Sequence, residues 1–299
     1  MSYDNADYLG SQDGNDNAVV VLVRAKTKAI TSCNVQPNTR IIYADAFNGC
    51  ELGNVELPSV PGFSLEIGDR AFYRCFNLTS TGTNIIPSTT TYIGEKAFYF
   101  CESLTGTLTI PDSVKSIGNG AFDNCVGIER VVIEENSIEV IPDLLFNYCT
   151  AIQSVTINAE ITSIGKQAFS NCTALKSITI PISISSIGDY AFYKCTALKT
   201  ASITGAYTIG EFAFSECGIT SIVLPSRLVT IPVGAFELCP SLATVTIPTS
   251  VKYIHNRAFS GCESLTKIIY KGTEAQWNAI QKGTRWDEST GAYTITYNG

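Results

Sequence analysis

The chain repeats one short phrase along most of its length. Ala-Phe, two variable residues and Cys occur nine times between Ala46 and Cys262, and a tenth copy, Leu145-Phe146-Asn147-Tyr148-Cys149, replaces only the alanine. From Cys50 to Cys262 the successive cysteines are separated by 25, 26, 24, 24, 23, 23, 22, 22 and 23 residues. A unit this short cannot bury its own apolar face, so neighbouring copies must stack, and the array grows in one dimension. The period therefore predicts a solenoid.

Every copy carries the same grammar. An aliphatic residue follows three places after most of the cysteines, as in Leu78, Leu104, Ile128, Ile152, Leu175, Leu198, Leu242 and Leu265. Then comes an alternating stretch such as Ser177-Ile178-Thr179-Ile180 or Thr244-Val245-Thr246-Ile247. Alternation of β-branched residues with a period of two is the signature of a half-buried strand. Six of these stretches stop at a proline (Pro58, Pro87, Pro111, Pro181, Pro225 and Pro248), which fits a strand end because proline lacks the ladder donor. A second short apolar pair, as in Val114-Lys115-Ser116-Ile117-Gly118, leads into the Ala-Phe-x-x-Cys segment. That segment is expected to form a helical or 3₁₀ turn with Ala, Phe and Cys facing inward.

The pattern I-G-x-x-A-F-x-x-C-x-x-L-x-x-I-x-I-P resembles BspA-like leucine-rich repeats, a class found in surface proteins of gut and oral bacteria and of some mucosal protozoa. The resemblance spans residues 33–270. The flanks YLGSQDGNDNAVVVLVRAKTKAITSC and YKGTEAQWNAIQKGTRWDESTGAYTITYNG also resemble those of gut-bacterial members. It implies a leucine-rich-repeat solenoid, a right-handed curved array with a parallel strand on one face of each coil and a short strand plus turn on the other. It further implies adhesion or protein recognition at the cell surface or after secretion, with no catalytic residues and no cofactor.

Strands about 4.8 Å apart would give ten coils a height on the order of 50 Å, with an unpaired edge at each end. Residues 1–32, with the strand-like Val19–Val23, are expected to close one end of the repeats at 33–270. Residues 271–299, with Trp277, Trp286 and a strand over Tyr293–Tyr297, are expected to close the other.

Composition narrows the partners. The formal charge is −7, and the basic residues are scattered. Nucleic acid and anionic membranes call for clustered Lys and Arg, so both are disfavoured. The longest apolar run, Ala18–Val23, is too short to span a bilayer, and the polar N-terminus MSYDNADYLG shows no secretory signal.

The cysteines are the most conspicuous candidate for chemistry. No two are closer than 17 residues and the chain has one histidine, whereas zinc sites draw on tight Cys and His clusters. Stacked cysteines would have Cα atoms within nominal disulfide range, but with side chains pointing the same way. Packing as small apolar groups is the favoured expectation, with isolated disulfides as the alternative. His255 replaces the glycine of the Ile-Gly pair, and Glu134-Glu135 form a conspicuous acidic pair in what reads as a solvated turn. Neither is set in a recognisable nucleophile, phosphate or dinucleotide motif.

Recognition surfaces remain. Outward strand positions form one column through Glu56, Thr109, Val132, Thr156, Thr179, Ser202, Val223, Thr246 and Ile269. A second runs through Asn54, Arg130, Ser154, Ser177, Thr200, Ser221, Thr244 and Lys267. The expected binding residues are Arg130, Val132, Ser154, Thr156, Ser177, Thr179, Thr200, Ser202, Val223, Thr244 and Thr246, facing a protein of the host matrix or of a microbial surface. Such a hydroxyl-rich face would also suit a glycan, and a structural spacer is a third possibility. A second candidate is aromatic: Tyr73, Tyr99, Tyr193 and their neighbours Phe100, Tyr148, Tyr190 and Phe212, on the turn side.

Overall fold

The β-branched alternation builds two short parallel strands per coil, and the computed structural model, which describes residues 5–10, 20–80 and 84–298, stacks them as a parallel β-solenoid. The first strand of each coil contributes to a front face. Gly106–Ile110, Ile128–Ile133, Ser154–Ile157, Ser177–Thr179 and Thr200–Ser202 form a five-stranded sheet there. Ser221–Val223, Thr244–Ile247, Lys267–Tyr270 and Thr294–Tyr297 form a four-stranded one. Register keeps like positions together: Val131 pairs with Val155, Val155 with Ile178, and Ile178 with Ala201. The stretch before Pro87 departs from this pattern. Residues 84–86 form no strand, and the Asn84 side chain instead accepts from Thr109 N and donates to Thr109 O.

The second strand of each coil lies on another face, as in Ser163–Ile164, Ser186–Ile187 and Thr208–Ile209. Glycine after the isoleucine has a mechanical reason here. A Cβ at Gly188 would sit 2.7 Å from the Gly165 carbonyl carbon, so only the bare backbone lets successive coils approach this closely.

The Ala-Phe-x-x-Cys segments are neither α- nor 3₁₀-helical, which corrects the expected turn. Alternate amides serve different partners. In the central coil Ala168, Ser170 and Cys172 donate back to Gly165, Gln167 and Phe169, three residues earlier. Gln167, Phe169 and Asn171 donate across to Asp189, Ala191 and Tyr193 of the next coil. A 3₁₀ helix would use every amide locally; here half of them bind coil to coil. The geometry requires left-handed backbone at both Gln167 (φ 56°) and Asn171 (φ 61°), and equivalent pairs recur at Arg70 and Arg74, Lys96 and Phe100, and Tyr190 and Lys194.

The phenylalanines stack in one column from Phe47 to Phe259, with ring centroids 5.0 to 5.9 Å apart. Trp286 closes the column edge-on, 6.2 Å from Phe259. Both ends continue the coil with altered residues. Ala25 takes a phenylalanine slot, its amide donating to Ala46 O as the phenylalanines donate to the alanine slot of the next coil. At the other end Phe259 N donates to Trp286 O, and Arg285 and Ser289 repeat the left-handed pair. Ala6–Leu9 runs antiparallel along the outer side of Val20–Ala25; Val19, also expected to be strand, lies outside the described residues.

Candidate binding surfaces

The cysteine column is core, and it is more than filler. All eleven cysteines are buried and free. Nine donate their thiol to the phenylalanine carbonyl of the preceding coil, from Cys75 on Phe47 O at 3.1 Å to Cys262 on Phe236 O at 3.1 Å. Seven of these carbonyls, from Phe47 to Phe192, also accept from the cysteine amide of their own coil, as Phe169 O does from Cys172 N. Burial pushes the Cys75 thiol up to about 12 and holds Cys101, Cys125 and Cys149 well above the ordinary range. Thiols in this state are poor nucleophiles and poor metal ligands. His255 is exposed in the glycine slot, and Glu134 and Glu135 lie at a turn, where Glu134 Oε2 accepts from Asp112 N. Among the described residues no three His, Cys, Asp or Glu side chains converge as a ligand set. No helix there is long and apolar enough to cross a membrane.

The front face gathers the hydroxyl columns. Arg130, Ser154, Ser177 and Thr200 follow one another in register. Val132 pairs with Thr156, and Thr179 with Ser202. Arg130 and the six Ser and Thr side chains from Ser154 to Ser202 are exposed. The rest of the expected set divides. Val223 is 57% exposed, but Val132 and Thr244 are half-buried and Thr246 is only 9% exposed. Ile269, expected outside, is also half-buried. The sheet ladder breaks between Thr200–Ser202 and Ser221–Val223, so this run of ladder-paired hydroxyls ends at Ser202, with Ser221 exposed on the next coil.

The turn face collects the aromatics into two groups. Tyr73 stacks on Tyr99 at 4.8 Å, Phe100 meets Tyr99 edge-on at 4.6 Å, and the Arg74 guanidinium lies 5.5 Å over Tyr73. Further along, Tyr190 stacks on Phe212 at 5.0 Å. Tyr193 donates to Glu216 Oε1 at 2.7 Å, which raises the phenol's pKa above the usual range. Tyr148 stands exposed between the groups. Apart from Tyr148 these rings are half-buried, packed between neighbouring turns.

A third surface escaped the sequence. An open groove of about 620 Å³ runs along the second strands, floored by Ser163, Gly165, Ser186 and Gly188 and bordered by Asp143 and Asp189. Its aspartates are structural: Asp143 Oδ1 accepts from Lys166 N and Asp189 Oδ1 from Glu211 N, each one coil on. The column of Ile-Gly pairs was the available signal, since glycine repeated on one face leaves a furrow.

A family model described as "BspA type Leucine rich repeat region" matches in six copies, over residues 25–84, 65–199 and 186–283. No curated protein matches the chain. Among solved structures, a leucine-rich repeat protein from Bacteroides ovatus is 24% identical, with 99% of this chain and 78% of that one aligned at a TM-score of 0.72. Another, from Eubacterium ventriosum, is 22% identical, with 97% and 95% aligned at a TM-score of 0.52. These likenesses speak for the fold.

Proposed function

The chain belongs to the BspA-type leucine-rich repeat family, and from that premise we propose that it is a non-catalytic recognition and adhesion module of a bacterial surface or secreted protein. In this reading the array is right-handed and curved, closed by caps at 1–32 and 271–299 around repeats at 33–270. Its partner is a protein of the host matrix or of another microbe, bound along the front face.

One observation carries the reading: Ser154, Thr156, Ser177, Thr179, Thr200 and Ser202 stand exposed in register on three consecutive coils of one sheet. A flat, weakly charged surface with a donor and acceptor at each outward position can follow an extended partner without first desolvating ion pairs. Leucine-rich repeat proteins as a class mediate protein binding, and solenoids supply extended recognition surfaces. The glycan reading draws on the same hydroxyls and on the stacked Tyr73 and Tyr99.

The test is a binding screen against extracellular-matrix proteins, mucins and polysaccharides, run beside a Thr156→Lys/Thr179→Lys/Ser202→Lys variant whose fold is checked by circular dichroism. A protein ligand lost in the variant supports the proposal. A polysaccharide ligand lost in the variant replaces it with the glycan reading. A ligand retained by the variant moves recognition to the turn face or the ends, and the absence of any ligand favours a spacer.

A further inference from the structure

Ile182 is 84% exposed, the most extreme value among the large apolar side chains of the described residues. It sits at the corner where the front strand Ser177–Thr179 turns toward the second strand Ser186–Ile187. The next coil cannot shelter it. Gly205 occupies the neighbouring corner so tightly that a Cβ there would lie 2.3 Å from the Ile182 carbonyl oxygen.

Along this one corner the chemistry changes in order. Toward the C-terminus the exposed Tyr207 and Val229 continue the apolar stripe. Two exposed cations follow. The Arg227 guanidinium lies 5.0 Å over the Tyr207 ring, and Lys252 Nζ donates to Thr249 O; neither pairs with a carboxylate among the described residues. Toward the N-terminus the corner turns acidic, with exposed Glu160, Glu135 and Glu139 around an open groove of about 750 Å³. Lys115, the cation of that groove, is held by the carbonyl oxygens of Asp112 and Asn136.

The order is balanced about Ile182. Glu139 lies two coils to one side and Arg227 two coils to the other, following the hydrogen-bonded steps Thr162 N to Glu139 O, Ser185 N to Thr162 O and Tyr207 N to Ser185 O, with Arg227 on the coil after Tyr207 and Lys252 one coil further out. We propose that this corner is an interface between two copies of the chain, packed antiparallel about a two-fold axis beside Ile182. Ile182 then meets its own counterpart, with Tyr207 beside it, and Glu135 and Glu139 of each protomer face Arg227 of the other. A two-fold contact must be self-complementary, and an apolar centre with a charged rim is the ordinary anatomy of such a surface. Opposite charges at equal distances on either side of the centre are what a second copy requires. From the coil of Glu139 to that of Arg227 the contact would run about 19 Å. The front face stays open, so the proposal stands apart from the recognition surface above.

Sedimentation of the full chain over a range of concentrations tests it. A monomer–dimer equilibrium that weakens as salt is raised is expected. Ile182→Arg is expected to lower the association constant by about 30-fold or more, the scale of a central interface residue. Arg227→Glu and Glu135→Lys/Glu139→Lys are each expected to self-associate poorly, and their equimolar mixture to regain the dimer, since both rims then oppose unlike charges. All substituted side chains are exposed, and circular dichroism should match that of the unaltered chain. A protein that stays monomeric at every concentration overturns the proposal. So does a dimer indifferent to Ile182→Arg, or a mixture no better than its separate components.

Discussion

Asp123 follows the stacking Phe122, in a position where most coils place a neutral polar or aromatic residue. Only 5% of it is exposed, and burial raises its carboxyl from the usual range to about 6, although amides of Asn147 and Asn124 donate to Oδ1 and Lys96 lies nearby. The beside-lying Asn147 Oδ1 is buried without a donor, and a protonated carboxyl offers the kind of group it lacks. A carboxyl held higher in the folded state than in the unfolded one binds its proton more tightly when folded, so stability falls as pH rises. For Asp123 the contribution is therefore full below about 4, where both states are protonated, and is lost as pH rises through about 6. Asp123→Asn, which keeps the acceptor and removes the charge, is expected to stabilise the protein at pH 7 by roughly 2 kcal/mol. Urea denaturation at pH 7 and pH 4 checks this: the gain should shrink toward zero at the lower pH. An equal effect at both values would mean that packing, and not ionisation, controls the site.

At the scale of the element, the repeated turn is the part that letters conceal. Its left-handed positions are held by Gln167, Asn171, Tyr190 and Lys194 as readily as by Gly261. Such backbone costs a non-glycine residue about 1 kcal/mol, and the ladder of coil-to-coil amides holds it in place. Gln167→Gly should relieve that strain and, after the added freedom of the unfolded chain is subtracted, stabilise by about 0.5 kcal/mol. Ala168→Gly, one residue on and fully buried outside the left-handed region, should instead destabilise by about 1 kcal/mol. Opposite shifts in the denaturation midpoint are the expected result. The spacing of Ala, Phe and Cys disclosed which side chains face inward, because burial constrains residue type. It did not disclose the turn, because half-exposed left-handed positions accept many types once hydrogen bonds fix them. The last coil was hidden for a related reason: Trp286 fills the alanine slot and Thr290 the cysteine slot, so the phrase disappears while the backbone repeats. The strand face was legible from alternation alone, yet the burial of Thr246 was not, since it depends on neighbours that alternation does not name.

For the whole molecule, every junction between coils is nearly the same junction. Phe169 N meets Ala191 O, Cys195 Sγ meets Phe169 O, and Phe169 stacks on Phe192 at 5.4 Å; one coil later the same three contacts recur with Phe192, Ala213, Cys217 and Phe214. Stability in such an array is approximately a sum over units and neighbouring junctions. The text itself is duplicated at one point, Cys172-Thr173-Ala174-Leu175-Lys176 matching Cys195-Thr196-Ala197-Leu198-Lys199. Removing residues 173–195 would join Cys172 to Thr196 and leave that stretch of sequence unchanged. The shortened chain is expected to fold, to keep its circular dichroism per residue, and to lose about 4.8 Å of length by small-angle scattering. Collapse to an unfolded or aggregated chain would show that the coils are not interchangeable. The thiol-to-carbonyl step thus acts as a graduation mark: reach can change by one whole division through recombination between matching segments, with no new core to be invented, and a lineage carrying this chain could alter how far the proposed recognition surface extends as easily as what it touches.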